Sequence, residues 1–160
     1  MTSEAVAADA ALYLTFRLDK EFLALEVARV REVLDLCPIT RVPRTPEYMR
    51  GVINLRGSVI PVIDLHRKFG LTAVATSIDS RIVVIELDHE GEGVVVGILA
   101  DSVHDVIEIS RGDIDSSPQM GARWRTEYVS GIGRCKDQFI LLLDIDRIFS
   151  NRETGSLIEG

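Results

Sequence analysis

The chain has 160 residues, 46% of them hydrophobic, and a formal net charge of -7, which fits one domain or two small subdomains sharing a core. The acidic balance argues against nucleic acid as a partner, and no apolar run approaches the ~18 residues of a bilayer span. No basic region followed by an apolar stretch marks an export signal, so Cys37 and Cys135 are expected as reduced thiols in a cytoplasmic protein with no direct membrane insertion.

Residues 1–11 are small and acidic and read as a mobile tail. Leu12, Leu14, Phe16 and Leu18 then alternate with Tyr13, Thr15 and Arg17, the period of a half-buried strand. Asp19, Lys20 and Glu21 supply a turn, and residues 22–27 and 30–36 read as further strands with helix ambiguity near Val27. Pro43, Pro46 and a turn over 47–50 lead into the most informative run, Gly51 to Leu65. Two apolar stretches there flank Asn54-Leu55-Arg56-Gly57-Ser58, a tight hairpin whose tip carries the lone cation Arg56.

Asp64 ends the second of these strands and precedes Leu65, where its carboxylate suits the N-cap of a short helix. His66 is expected on the exposed face of that helix, and Gly70 suits its end. A connector over 70–80 is followed by strands over 82–87, 94–99 and 103–109, with Gly91-Glu92-Gly93 as a hairpin turn. Trp124 sits in a polar loop, where it reads as a plug for a barrel end or a binding anchor. Strands over 131–134 and 139–143 follow, then Asp144 as a second N-cap and a tail over 151–160.

The chain repeats itself. A shift of 80 residues lays Glu47-Tyr48-x-x-Gly51 on Glu127-Tyr128-x-x-Gly131, then Val59 on Phe139, Ile60 on Ile140, Asp64 on Asp144 and Phe69 on Phe149. A shift of 73 lays Val30-x-Glu32-Val33-Leu34 on Val103-x-Asp105-Val106-Ile107. The units run over about 12–69 and 81–149 within a domain of 12–150, and each reads as a small barrel of about five strands. Units near 60 residues bury limited apolar surface, so the two are expected to pack together and leave a groove between them. Charge is unevenly placed: residues 29–68 hold eight basic and four acidic side chains, residues 78–115 two basic and ten acidic.

Catalytic constellations are hard to find. The repeated Asp64 and Asp144 raise the possibility of a carboxylate dyad and a small aspartate-dependent hydrolase. No Thr-Gly or Ser-Gly follows either aspartate, and helix capping accounts for both more simply. His66, His89 and His104 lie on different elements without metal-ligand spacing, and no phosphate-binding or nucleophile motif occurs, so neither metal nor cofactor is expected.

The run Gly51-Val-Ile-Asn-Leu-Arg-Gly-Ser-Val-Ile-Pro61-Val-Ile-Asp64-Leu65 resembles the signature of the CheW family of chemotaxis adaptors. Gly97-Ile-Leu-Ala-Asp101-x-Val103-x-Asp105-Val106 and Glu127-Tyr-Val-x-Gly131-Ile-Gly133 are similar to two later family motifs. The resemblance implies a mainly β fold of two five-stranded SH3-like barrels around a shared core, with short capping helices. It implies a non-catalytic adaptor that couples the cytoplasmic tip of a chemoreceptor to the regulatory domain of the histidine kinase CheA, within arrays at the membrane. Carried over by motif, receptor contacts fall on Arg56, Gly57, Val30, Glu32, Ile82 and Val106, and kinase contacts on Leu14, Val27 and Val33. Gly51, Pro61, Asp64, Gly131 and Asp144 are structural positions of the same pattern. An adaptor of another chemosensory pathway, for surface motility or gene regulation, would carry the same features.

Overall fold

A computed structural model describes residues 9–71, 75–115 and 128–149. The strands are β1 (Ala10–Leu18), β2 (Glu21–Glu26), β3 (Val30–Asp35), β4 (Met49–Leu55), β5 (Ser58–Asp64), β6 (Arg81–His89), β7 (Glu92–Ala100), β8 (Ser102–Ser110), β9 (Ile114–Asp115), β10 (Val129–Cys135) and β11 (Gln138–Leu143). Short 3-10 turns cover Val27–Arg29 and Arg111–Asp113, and single-turn helices α1 (Leu65–Lys68) and α2 (Ile145–Ile148) follow β5 and β11. The ambiguity near Val27 thus resolves into a 3-10 turn, and the first strand begins at Ala10, inside the segment read as a tail.

The mainly β architecture holds, with one sheet of six strands in the order β8-β1-β2-β11-β10-β9 and one of five in the order β3-β6-β7-β5-β4. The two sequence halves are not the two sheets. β1 and β2 leave the first half to join β8 to β11, while β6 and β7 leave the second half to join β3 to β5. Each sheet is closed across this exchange by a parallel pair, Val62 beside Gly97 in one and Leu142 beside Ala24 in the other. The sequence offsets of 80 and 73 residues carry the first pair onto the second, so the repeat is a repeat of register as well as of residues.

The burial pattern explains why the strands are so apolar. The largest buried cluster lies between the sheets and includes Phe16, Leu18, Leu23 and Leu25 from one, with Ile63, Val83, Ile85 and Ile98 from the other. Ile145, Ile148 and Phe149 join it from α2 and its end, and Leu65 and Phe69 from α1 and its end. Each sheet also holds a small cluster of its own, Ile53, Ile60, Val62, Ile82, Val84 and Leu99 in one, Tyr13, Ala24, Ile109, Ile140 and Leu142 in the other. Successive residues of β6 therefore face two different apolar interiors, and a strand buried on both faces loses its alternation.

Gly51 and Gly131 recur for one reason. Each follows a register shift where its strand bulges against its partner. A Cβ on Gly51, whose φ is 148°, would lie 2.2 Å from the Thr40 carbonyl oxygen. Thr40 holds Val52 by two backbone hydrogen bonds of 2.9 and 2.8 Å, so the carbonyl is not free to retreat. A Cβ on Gly131 would lie 2.8 Å from Ile114 and 3.0 Å from the Asp115 carbonyl oxygen, the equivalent crossing in the second copy.

Candidate functional site

The β4–β5 hairpin turns through Arg56 and Gly57, both left-handed, at φ 51° and 88°. Positive φ at both central residues matches the right-handed twist of the flanking strands. Asn54 Oδ1 accepts from the Gly57 N–H at 2.9 Å, which orders the turn before any partner arrives. The Arg56 side chain stands 71% exposed above the tip. It is not the unpaired cation expected: both its terminal nitrogens donate to Glu32 on β3, one at 3.4 Å and the other in close contact. Hydrogen bonding to Arg56 holds the Glu32 carboxyl below its ordinary range and, reciprocally, raises the guanidinium.

β3 presents Val30, Glu32 and Leu34 on its half-buried face and Arg31, Val33 and Asp35 outward. Val30 packs against the shared core while staying partly accessible. The structure thus brings Arg56, Gly57 and Glu32 together at the tip, with Val30 two residues from Glu32 on the same face of β3. Val106 is 54% exposed on β8, an edge strand of the other sheet. Ile82 does not join them. It is fully buried in the interior of the five-stranded sheet, because β6 is covered on both faces, and it has no side-chain surface to offer a partner.

The second set separates similarly. Val33 is exposed on β3, and Val27 is half-buried at the 3-10 turn. Leu14 is buried in the core between the sheets and offers a partner little beyond its backbone. Trp124 lies outside the described residues. Sequence reasoning missed the exposure of Val59, 70% accessible just beyond the tip, and of its repeat counterpart Phe139 at 66%. Both were read only as matching apolar positions; their place next to polar turn residues was the available signal.

Both N-caps form. Asp64 accepts from the His66 N–H at 3.0 Å, and Asp144 from the Arg147 N–H at 3.2 Å. Their carboxylates are thus engaged on separate helices, and no dyad is assembled from them. His66 is corrected outright: it is 1% exposed, with Nδ1 3.0 Å from Asp64 and Nε2 3.1 Å from Asp101. Burial works against its charge, but the carboxylates on both sides outweigh that and raise its pKa. Burial likewise opposes the Asp64 charge, and its bonds to His66 and the nearby Arg50 leave its pKa lowered. Among the described residues no group of three or more His, Cys, Asp or Glu is placed to hold a metal ion. No helix there is long and apolar enough to cross a membrane.

These features define a duplicated, strand-exchanged β module that presents an ion-paired arginine on one hairpin tip. The model of the CheW-like domain matches residues 12–153. The chemotaxis protein CheW of Klebsiella aerogenes is 35% identical over 141 residues, covering 88% of this chain and 82% of that protein. The CheW of Treponema pallidum is 31% identical, with coverage of 89% and 84%. The crystal structure of the scaffolding protein TtCheW from Thermoanaerobacter tengcongensis superposes with a TM-score of 0.78 at 35% identity, over 89% of this chain and 94% of that one. This chain belongs to the CheW-like domain family.

Proposed function

We propose that the protein is a chemotaxis adaptor, a non-catalytic scaffold that couples the cytoplasmic tip of a chemoreceptor to the histidine kinase CheA. The family membership, over nearly the whole chain, carries this reading. The receptor tip docks at Arg56, Gly57 and Glu32, with Val30 and Val106 supplying apolar contact. A receptor helix lays its apolar stripe against the valines while Arg56 donates to a carboxylate or carbonyl at its polar edge. The regulatory domain of CheA docks on the face marked by Val27 and Val33. Holding both partners on one rigid body raises their effective concentration for each other, which is a geometric contribution and needs no bond chemistry. The protein works in the cytoplasm, recruited to membrane-anchored receptor arrays.

Arg56→Asp tests the receptor site. It places a second carboxylate beside Glu32, and like charges at an interface are strongly unfavourable. Binding to a receptor tip fragment, read by calorimetry, is expected to weaken about tenfold or more, since each ~1.4 kcal/mol is tenfold. Binding to the CheA regulatory domain and the melting temperature should stay unchanged. Undiminished receptor affinity in the folded variant would contradict the assignment.

A further inference from the structure

A cluster of arginines lies away from the hairpin tip. A cavity of about 740 Å³ lies beside the loop that enters β4, lined by Arg41, Arg44, Arg50 and Arg67 against one carboxylate, Glu47. We propose that this cleft docks an acidic, carboxylate-rich peptide segment of a partner protein. The proposal goes beyond the adaptor reading, and the cleft lining does not include Arg56.

Two of the arginines are held in place from below. Arg50 reaches the buried Asp64 carboxylate at 3.4 Å, and Arg67 approaches it at 3.8 Å. That carboxylate is shared with the His66 ring as well, so it positions the guanidiniums without neutralising both. The other two are free to recruit: Arg41 and Arg44 are exposed, and neither side chain has a hydrogen-bond or ion-pair partner among the described residues. In a chain with a net charge of -7, such a cluster is a local reversal of sign. It would steer anionic groups toward itself.

Arg44 carries a second signal. Its φ is 64°, a left-handed conformation in which a glycine would be unstrained. Left-handed non-glycine residues persist where the surrounding structure over-determines them, and ligand clamps are one such setting. Pro43 and Pro46 bracket it, and the Thr45 hydroxyl donates to the Val42 carbonyl at 2.8 Å. The loop is therefore shaped before a ligand arrives, which reduces the ordering cost of binding. Guanidinium forks match carboxylates in pairs of hydrogen bonds.

The dimensions favour a peptide over a single small anion. The volume is in the range that holds an extended ligand. The four charges are spread over the entry loop, β4 and α1, which suits several carboxylates in succession. α1 adds no competing anion seat, since it has a single turn and Asp64 already occupies its N-terminus.

Fluorescence anisotropy with a labelled peptide of alternating glutamate and alanine, titrated with the full chain at low salt, tests this directly and requires neither receptor nor kinase. Saturable binding is expected, weakened about tenfold or more by Arg41→Glu with Arg44→Glu. The equally charged pair Arg17→Glu with Arg111→Glu, on β1 and the 3-10 turn after β8, should change it less than about twofold. Arg44→Gly should weaken binding while raising the melting temperature, which separates lost affinity from lost folding. Equal losses from both double variants, or no saturable binding, would overturn the proposal. Displacement of the peptide by inorganic phosphate at matched ionic strength, with phosphate binding the tighter, would overturn it in favour of a small-anion site.

Discussion

His66 ties three parts of the fold through one imidazole. Asp64 caps α1, Asp101 separates β7 from β8, and the Asp101 side chain in turn accepts from the Asp19 N–H at the β1–β2 turn. The pH dependence follows from the two directions of shift. His66 titrates above its ordinary 6.5 in the folded protein, so the stability it contributes is complete below that value and is lost as pH rises through the folded pKa. Asp64 titrates below its ordinary 3.8, so its contribution is complete above that value and is lost as pH falls through the folded pKa. Urea unfolding should therefore show greatest stability between those values and a decline toward alkaline pH. His66→Gln should flatten the alkaline limb; a limb unchanged in that variant would show that another group controls it. The Asp64 cap was legible from the chain, but the buried imidazole between two carboxylates was not. Helix position suggested an exposed His66, and the partner that buries it lies 35 residues away.

The two hairpin glycines of β4–β5 do different jobs, and substitution should separate them. At Gly51 an added methyl group strikes the Thr40 carbonyl, whereas at Gly57 it meets open space and suffers only the left-handed backbone. Gly57→Ala should cost about 1–2 kcal/mol from that backbone alone. Gly51→Ala should cost more, about 2–3 kcal/mol, because strain and collision add. Equal losses in denaturant titration would mean that the bulge at Gly51 relaxes. This hairpin was the most readable element in the sequence because everything that specifies it is local. Asn54 and Gly57 are three residues apart, and Asp64 caps the helix directly after its strand. The Arg56–Glu32 pair was not readable, since it joins positions 24 apart on β3 and the β4–β5 turn, elements that are not neighbours in the sheet. Ile82 misled for a related reason: a strand with apolar residues on both faces gives no hint of which face meets solvent.

The duplication was visible in the offsets, but the exchange of strands between copies was not, because each pairing spans a large part of the chain. The exchange also brings charged side chains of the two halves into contact. β3 lies against β6, where Arg31 meets Glu86 at 3.2 Å and Arg81 meets Asp35 at 3.4 Å. Arg29 reaches further, pairing with Asp146 of α2 through two bonds of 3.0 and 2.8 Å. Exposed pairs of this kind contribute only about 0–1 kcal/mol each, so the β1–β8 and β3–β6 ladders, the parallel strand pairs and the shared core must hold the halves together. A fragment ending in the 70–80 connector leaves β1 and β2 without β8 and β11, and β3 to β5 without β6 and β7. Each fragment alone should be unfolded by circular dichroism and amide-shift dispersion, and mixing the two should restore β structure. A folded 12–69 fragment would contradict the exchanged topology.

The adaptor reading requires that two partners occupy the molecule at once, the receptor at the Arg56 tip and the kinase at the Val27–Val33 face. Size-exclusion chromatography of the full chain with a receptor tip fragment and a CheA regulatory domain measures that occupancy. The expected result is a single ternary peak, reduced to the kinase binary complex by Arg56→Asp. Mutual displacement of the two partners, or elution of the folded chain apart from both, would contradict it.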